Sequence, residues 1–217
     1  MPSYKFHYFN VKGRGESTRL LFAAAGVAYE DLRHGGEKWK EEIKPKMPFG
    51  QMPVLEVDNQ LFAESAAINR YLARKFNMMG KTDEEAAVVD MFSDLMYDVL
   101  TKLPLFVKDL PLAFRYSTMG ENRTLKHILP NISKNENYFL SYIFKCCLEN
   151  KLSRLKNYKR HWVMSLADIV FLYVTPNLLA MAPNALASYP KSTALYKRLT
   201  ELPNISKWLA QRPQTAM

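Results

Sequence analysis

Apolar and polar residues alternate through YKFHYF, Tyr4 to Phe9, and this period of two predicts a β-strand. Beyond the break at Gly13 to Gly15, ESTRLLFAAAG predicts a helix stopped by Gly26. A short strand is expected from Val27 to Leu32, followed by a polar, loosely helical stretch from Gly36 to Lys46. VLEV (Val54 to Val57) and QLFA (Gln60 to Ala63) read as two strands joined by a hairpin turn at Asp58-Asn59. Ser65 stands where it can cap a helix whose Ile68, Leu72 and Phe76 recur at helical spacing. The resulting order, β-α-β-(α)-β-β-α, describes a compact α/β domain with helices packed on a small sheet.

After a linker at Asn77 to Asp83 the pattern becomes helical. A long helix is expected from Glu84 to about Leu110, with Val88, Met91, Phe92, Leu95, Val99 and Leu103 along one side. Further helices are expected at Thr124 to Ile132, Tyr138 to Leu155, Ser165 to Met181 and Lys191 to Leu199, and Pro203 opens a short last one. The chain is therefore read as an α/β domain over residues 1–80 followed by an all-α domain over residues 84–217. Ser165-Leu166-Ala167-Asp168 has the form of a capping box. In it the Ser165 hydroxyl accepts from a backbone N–H and Asp168 reaches back, with Met164 and Ile169 flanking as a hydrophobic staple. This is a structural device without a catalytic role.

A hydrophobic content of 48 % in 217 residues suits a packed globular chain. No apolar run approaches the roughly 18 to 20 residues that span a bilayer, and the start MPSYKFHYFN lacks the basic and apolar regions of a signal peptide, so a cytoplasmic location is expected. The net charge of +9 raises nucleic acid as a partner, but nine basic residues against three acidic ones fall between Glu121 and Met164. No zinc-ligand spacing, phosphate loop or basic-aromatic repeat accompanies them, which favours a solvated helical face over a nucleic-acid surface. Cys146 and Cys147 are adjacent, a poor arrangement for an ordinary disulfide or a spaced metal site, and a redox-sensitive pair is the alternative left open.

Five stretches resemble the sigma class of cytosolic glutathione transferases: residues 4–26, Trp39 with Ile43-Lys44, MPFGQMPVLEVD (47–58), ESAAINRYLARKF (64–76) and the closing WLAQRPQT (208–215). The resemblance implies a thioredoxin-like N-terminal domain, a C-terminal helical bundle, glutathione as co-substrate, a homodimer and no metal. On the residues alone, Tyr8 is one alternating strand position among twelve tyrosines. The resemblance makes it the catalytic residue, whose hydroxyl donates to the sulfur of glutathione, with Arg14 beside both. It also implies that Gly50, Gln51 and Met52 bind glutathione in a loop whose Pro53 is cis, and that Glu64 and Ser65 hold the γ-glutamyl group. Trp39 and Lys44 would hold the glycine end, and Asp98 would reach the partner's ligand across the dimer. The second-substrate pocket for a hydrophobic electrophile is expected to draw on Phe9, Gly13, Arg14, Met96 and Leu105. Phe49 matches an aromatic that several transferase classes insert into the partner.

The chain departs from the sigma pattern in several places. Glu64 replaces the commoner Gln, and one extra residue separates Trp39 from the MPFG loop. Tyr97 stands where vertebrate relatives that isomerise a prostaglandin endoperoxide carry a divalent-ion aspartate, leaving Asp94 and Asp98, and Leu105 replaces a pocket tryptophan. A general conjugating transferase, with peroxide reduction or isomerisation as side activities, fits better than a dedicated prostaglandin synthase. Residues 131–164 hold no glycine where relatives have a glycine-rich bend. The alternatives are a structural protein of the lens-crystallin type and a non-catalytic carrier of apolar ligands.

Overall fold

The computed structural model describes residues 2–106, 164–181 and 183–215. The helices expected at 124–132 and 138–155, the basic run and the Cys146-Cys147 pair lie outside the described residues. The described residues fall into two compact units, one within Met1–Asp90, Met164–Ile169 and Leu199–Met217, the other within Met91–Val163 and Val170–Arg198.

The first unit is built on a four-stranded sheet in the order β2-β1-β3-β4, formed by β1 (Tyr4–Phe9), β2 (Glu30–His34), β3 (Val54–Val57) and β4 (Gln60–Ala63). β1 runs parallel to β2 and antiparallel to β3, and β3 is antiparallel to β4. The alternation read from YKFHYF is realised: Tyr4, Phe6 and Tyr8 are buried, while Lys5, His7 and Phe9 are half-buried. Asp58 and Asn59 both take positive φ, the backbone a two-residue hairpin turn requires.

Helix α1 (Glu16–Ala25) ends at Gly26 as expected, with φ of 66°. The next strand, however, begins at Glu30 rather than Val27. Gly26 N–H bonds to Ala23 O and Val27 N–H to Phe22 O, so the helix C-cap consumes these residues before the chain can pair with β1. The Gly36 to Lys46 stretch is an α-helical turn, α2 (Gly36–Lys38), followed by a π-helical turn at Trp39–Ile43 and a 3-10 turn at Lys44–Lys46.

Helix α3 (Ser65–Lys75) packs against α1. Ser65 is the first helical residue and makes no capping bond: Glu64, at φ of 68°, takes the cap position, so the chain enters the helix one residue earlier than expected. The core between sheet and helices is closed by Phe6, Leu20, Leu21, Phe22, Leu55, Ile68 and Leu72. Inside it, Thr18 donates to Asn69 Oδ1 and Asn69 donates to Ser17 Oγ, so the buried polar atoms satisfy one another.

The remaining helices are α4 (Asp83–Phe106), α5 (Leu166–Met181), α6 (Pro190–Thr200) and α7 (Pro203–Gln211). Asp168 reaches back to the Ser165 N–H at 2.8 Å, as the capping box requires. The Ser165 hydroxyl, though, donates to the same carboxylate oxygen instead of accepting from the backbone. One Asp168 oxygen thus accepts from both the N–H and the hydroxyl of Ser165. No described helix is long and apolar enough to cross a membrane.

His7 and His34 sit on the opposite face of β1 from Tyr8, with Nδ1 and Nε2 3.0 Å apart. Their centroids lie 5.2 Å apart with planes 13° from parallel, so the rings meet edge to edge through this contact. Burial lowers both pKa values, helped at His34 by the charges of His7 and Lys38 and opposed at His7 by Glu56 and Glu30. The unfolded chain therefore binds protons first, and stability present above about pH 6.5 is lost as the pH falls toward the folded values. The urea midpoint is expected to drop less in His34→Gln than in the parent between about pH 7 and pH 5. Equal slopes would contradict this reading.

Candidate active site

Tyr8 is the last buried residue of β1, and the chain then turns through Gly13–Gly15 into α1. This turn folds back over the phenol ring. A Cβ on Gly13 would lie 2.7 Å from Tyr8 Oη, and one on Gly15 would lie 2.5 Å from Tyr8 Cδ1. Both glycines are therefore needed by the tyrosine, beyond the helix-breaking role that the sequence suggests. The close approach brings the Arg14 N–H to Tyr8 Oη at 3.0 Å.

Tyr8 is 7 % exposed. Burial raises its pKa, against the bond from the Arg14 N–H, the charges of Arg14 and Arg19, and a bond from the Gly15 N–H. The net direction is upward, so the phenol keeps its hydrogen at neutral pH. Its oxygen accepts from the backbone while its own O–H remains to be donated, and accepting one bond strengthens the one it gives.

Arg14, Phe49, Gln51, Met52, Pro53, Ala63, Glu64 and Ser65 line a shallow, open cleft. The Met52–Pro53 bond is cis, as the resemblance implies. Ser65 opens α3, where unpaired N–H groups and the positive end of the helix dipole favour a carboxylate. Arg14 connects cleft and tyrosine, since it borders the first and its N–H touches the second.

Of the other expected site residues, Phe49 borders the cleft, while Lys44, Trp39, Phe9, Met96 and Asp98 are not among its lining residues. The Lys44 side chain runs beside Gly50, whose added Cβ would lie 3.6 Å from Lys44 Cε. Trp39 is half-buried, with its ring edge-on to Phe9 at 5.3 Å, and Phe9 in turn lies 5.7 Å from Tyr8. Phe49 is 67 % exposed. In the second unit Met96 is buried and Asp98 is exposed, both on α4. Leu105 falls on the last turn of α4, beyond the residues whose side chains are described. Among the described residues no group of three or more His, Cys, Asp or Glu side chains could hold a metal ion.

Sequence reasoning missed one set of residues here. Glu16, Ser17, Thr18 and Arg19 are all buried, although four polar residues opening a helix resemble a solvated first turn. Their only signal is that the apolar LLF follows without an intervening apolar position one turn earlier.

A four-stranded mixed sheet with helices packed on it and a cis-proline loop defines a thioredoxin-like domain. The family model described as the glutathione S-transferase N-terminal domain matches residues 4–74, and that for the C-terminal domain matches residues 128–212. Glutathione S-transferase 1 of Ascaris suum is 35 % identical over 99 % of both chains. Hematopoietic prostaglandin D synthase of Gallus gallus is 34 % identical over 100 % of both. A solved Nu-class glutathione transferase from Haemonchus contortus superposes with a TM-score of 0.76 at 31 % identity, covering 100 % of each chain. The chain belongs to the glutathione S-transferase family. It is an enzyme with a thioredoxin-like N-terminal domain and a helical C-terminal domain, and glutathione is its co-substrate. Full-length likeness to named enzymes favours this over the crystallin and carrier readings.

Proposed function

We propose that Tyr8 is the catalytic residue and that it works as a hydrogen-bond donor to the sulfur of glutathione. The observation that carries this is the 3.0 Å bond from the Arg14 N–H to a buried phenol oxygen that keeps its own hydrogen. A free thiol of pKa about 8.5 is only a few per cent ionised at pH 7. Donation to the anion, together with the nearby Arg14 charge, stabilises the thiolate relative to the thiol, and the thiol proton leaves to water. The thiolate then attacks a small hydrophobic electrophile. With a chlorodinitrobenzene the S–C bond forms, the C–Cl bond breaks and chloride departs.

The glutathione would lie along the cleft. Its γ-glutamyl carboxylate takes the α3 N-terminus and the Ser65 hydroxyl, and its ammonium group takes Glu64. The backbone around its cysteine pairs with Met52 beside Gln51, as an added strand would. Lys44, alongside Gly50, meets the glycine carboxylate by charge, and Trp39 meets it through its indole N–H. On the first unit, Phe9, Gly13 and Arg14 are assigned to the electrophile. In a homodimer Asp98 serves the partner's ligand and Phe49 the interface, and sedimentation of the pure protein at monomer mass would contradict the dimer. The division of labour follows residues 1–80 and 84–217. The location is cytoplasmic and the role is detoxification, with peroxide reduction or isomerisation as side activities. Tyr97 and Leu105 speak against a dedicated prostaglandin synthase.

The test is conjugation of glutathione to a chlorodinitrobenzene by the purified protein. A rate that saturates in glutathione and exceeds the uncatalysed reaction is expected. A rate no faster than the uncatalysed one would refute the proposal.

A further inference from the structure

Tyr8 and Arg14 are six residues apart, yet the backbone between them must be held closely enough to keep a 3.0 Å bond. The restraint comes from a fully buried guanidinium. Arg19, 0 % exposed, donates from Nη1 to Val11 O at 2.8 Å and from Nη2 to Phe9 O at 3.3 Å. Its Nε donates to both oxygens of Asp31 on β2 at 3.2 Å. Asp31 also pairs with Arg33, whose Nη1 donates to Asn10 Oδ1 at 3.0 Å. Phe9, Asn10 and Val11, the residues that carry the chain off β1, are therefore each bound by an arginine tied to one carboxylate. The Arg19 guanidinium carbon also stands 5.7 Å from the Tyr8 ring centroid.

The other side of this cluster reaches the end of the chain. Glu16 Oε2 lies 3.7 Å from Arg19 Nη1. Glu16 Oε1 accepts from Trp208 Nε1 at 3.0 Å and from Arg212 Nη1 at 2.7 Å, both on or just after α7. A buried carboxylate thus joins α7 to the residue that follows the Gly13–Gly15 turn.

We propose that Arg19 is a positioning residue for the catalytic hydrogen bond. It fixes the Phe9–Val11 path that presents the Arg14 N–H to Tyr8 Oη, and α7 steadies it through Glu16. Ion pairing alone would not need this geometry. The planar fork serves two carbonyls and a carboxylate at once, which an ammonium group cannot do. None of these atoms borders the cleft, so the effect falls on the reactivity of the sulfur and leaves the binding of glutathione largely unchanged.

The inference rests on Tyr8 as the donor, and one experiment separates the two. The thiolate absorbance of bound glutathione is titrated in the parent, in Arg19→Lys and in Arg212→Gln, alongside glutathione affinity and a urea midpoint. Arg19→Lys is expected to raise the midpoint of thiol ionisation by about one pH unit, a tenfold shift, with affinity changed by no more than about twofold. Arg212→Gln, which changes a residue nearer the surface, is expected to raise it by about 0.3 unit, a twofold shift. If Arg19→Lys does not fold, Arg212→Gln decides. A parent midpoint below that of free glutathione with unshifted midpoints in the folded variants overturns the positioning role and leaves Tyr8 standing. A parent midpoint equal to that of free glutathione removes both.

Discussion

Tyr8→Phe is expected to lower kcat/KM for glutathione conjugation about a hundredfold at neutral pH, with little change in glutathione affinity. The substitution removes one oxygen. It leaves the ring, its contacts with Phe6 and Phe9, and the glycine turn in place. What is lost is the donor to the thiolate, for which stabilisation by roughly 2.7 kcal/mol lowers the thiol pKa by about two units. The Arg14 N–H loses its acceptor as well, and that cost appears in stability at about 1 kcal/mol. Initial rates over a range of glutathione concentrations separate the two quantities. A KM increase with unchanged kcat would mean that the phenol binds ligand equally in ground and transition states.

Gly15→Ala should be the most damaging single-carbon change near the site. The new methyl would stand 2.5 Å from Tyr8 Cδ1 and 2.7 Å from Cγ. Ring or turn must move, because the ring cannot withdraw from a packed face of β1. Overpacking of this kind costs about 1 to 3 kcal/mol. The same movement pulls the Arg14 N–H from Tyr8 Oη, so conjugation should fall by about an order of magnitude in the protein that remains folded. Gly35→Ala is the internal control: its Cβ would meet nothing within 4 Å, and its extended backbone accepts any residue. It should lie within about 0.5 kcal/mol of the parent in urea denaturation. Equal midpoints for the two alanine variants would show that the turn has slack.

The periodic elements were legible in the sequence because packing sets their pattern. The two-residue alternation of YKFHYF, the hairpin at Asp58-Asn59 and the helices expected at Lys191 to Leu199 and from Pro203 are all present, the first of these helices starting one residue earlier at Pro190. Boundaries fared worse where the deciding interaction was a backbone bond. The helix cap at Gly26-Val27 delayed β2 to Glu30, and the positive φ of Glu64 displaced Ser65 from its cap.

The site was legible only through resemblance. A tyrosine on an alternating strand has the same pattern whether its hydroxyl serves the core or a ligand, and the Arg14 N–H that singles out Tyr8 is a backbone group with no letter of its own. The cis bond before Pro53 is equally silent in a sequence. The Glu16–Arg19 cluster was invisible for another reason. Its carboxylate is satisfied by Trp208 and Arg212, almost two hundred positions away, and polar residues of that kind look exposed until their partners are known.

Whether this protein acidifies a bound thiol is measured most directly by the ionisation curve of glutathione in its binary complex with the unmodified protein. The midpoint is expected about two units below the value of about 8.5 for a free thiol, so that most bound glutathione is anionic at pH 7. A curve superimposable on that of glutathione in water would contradict the role of Tyr8, whatever the fold or the family.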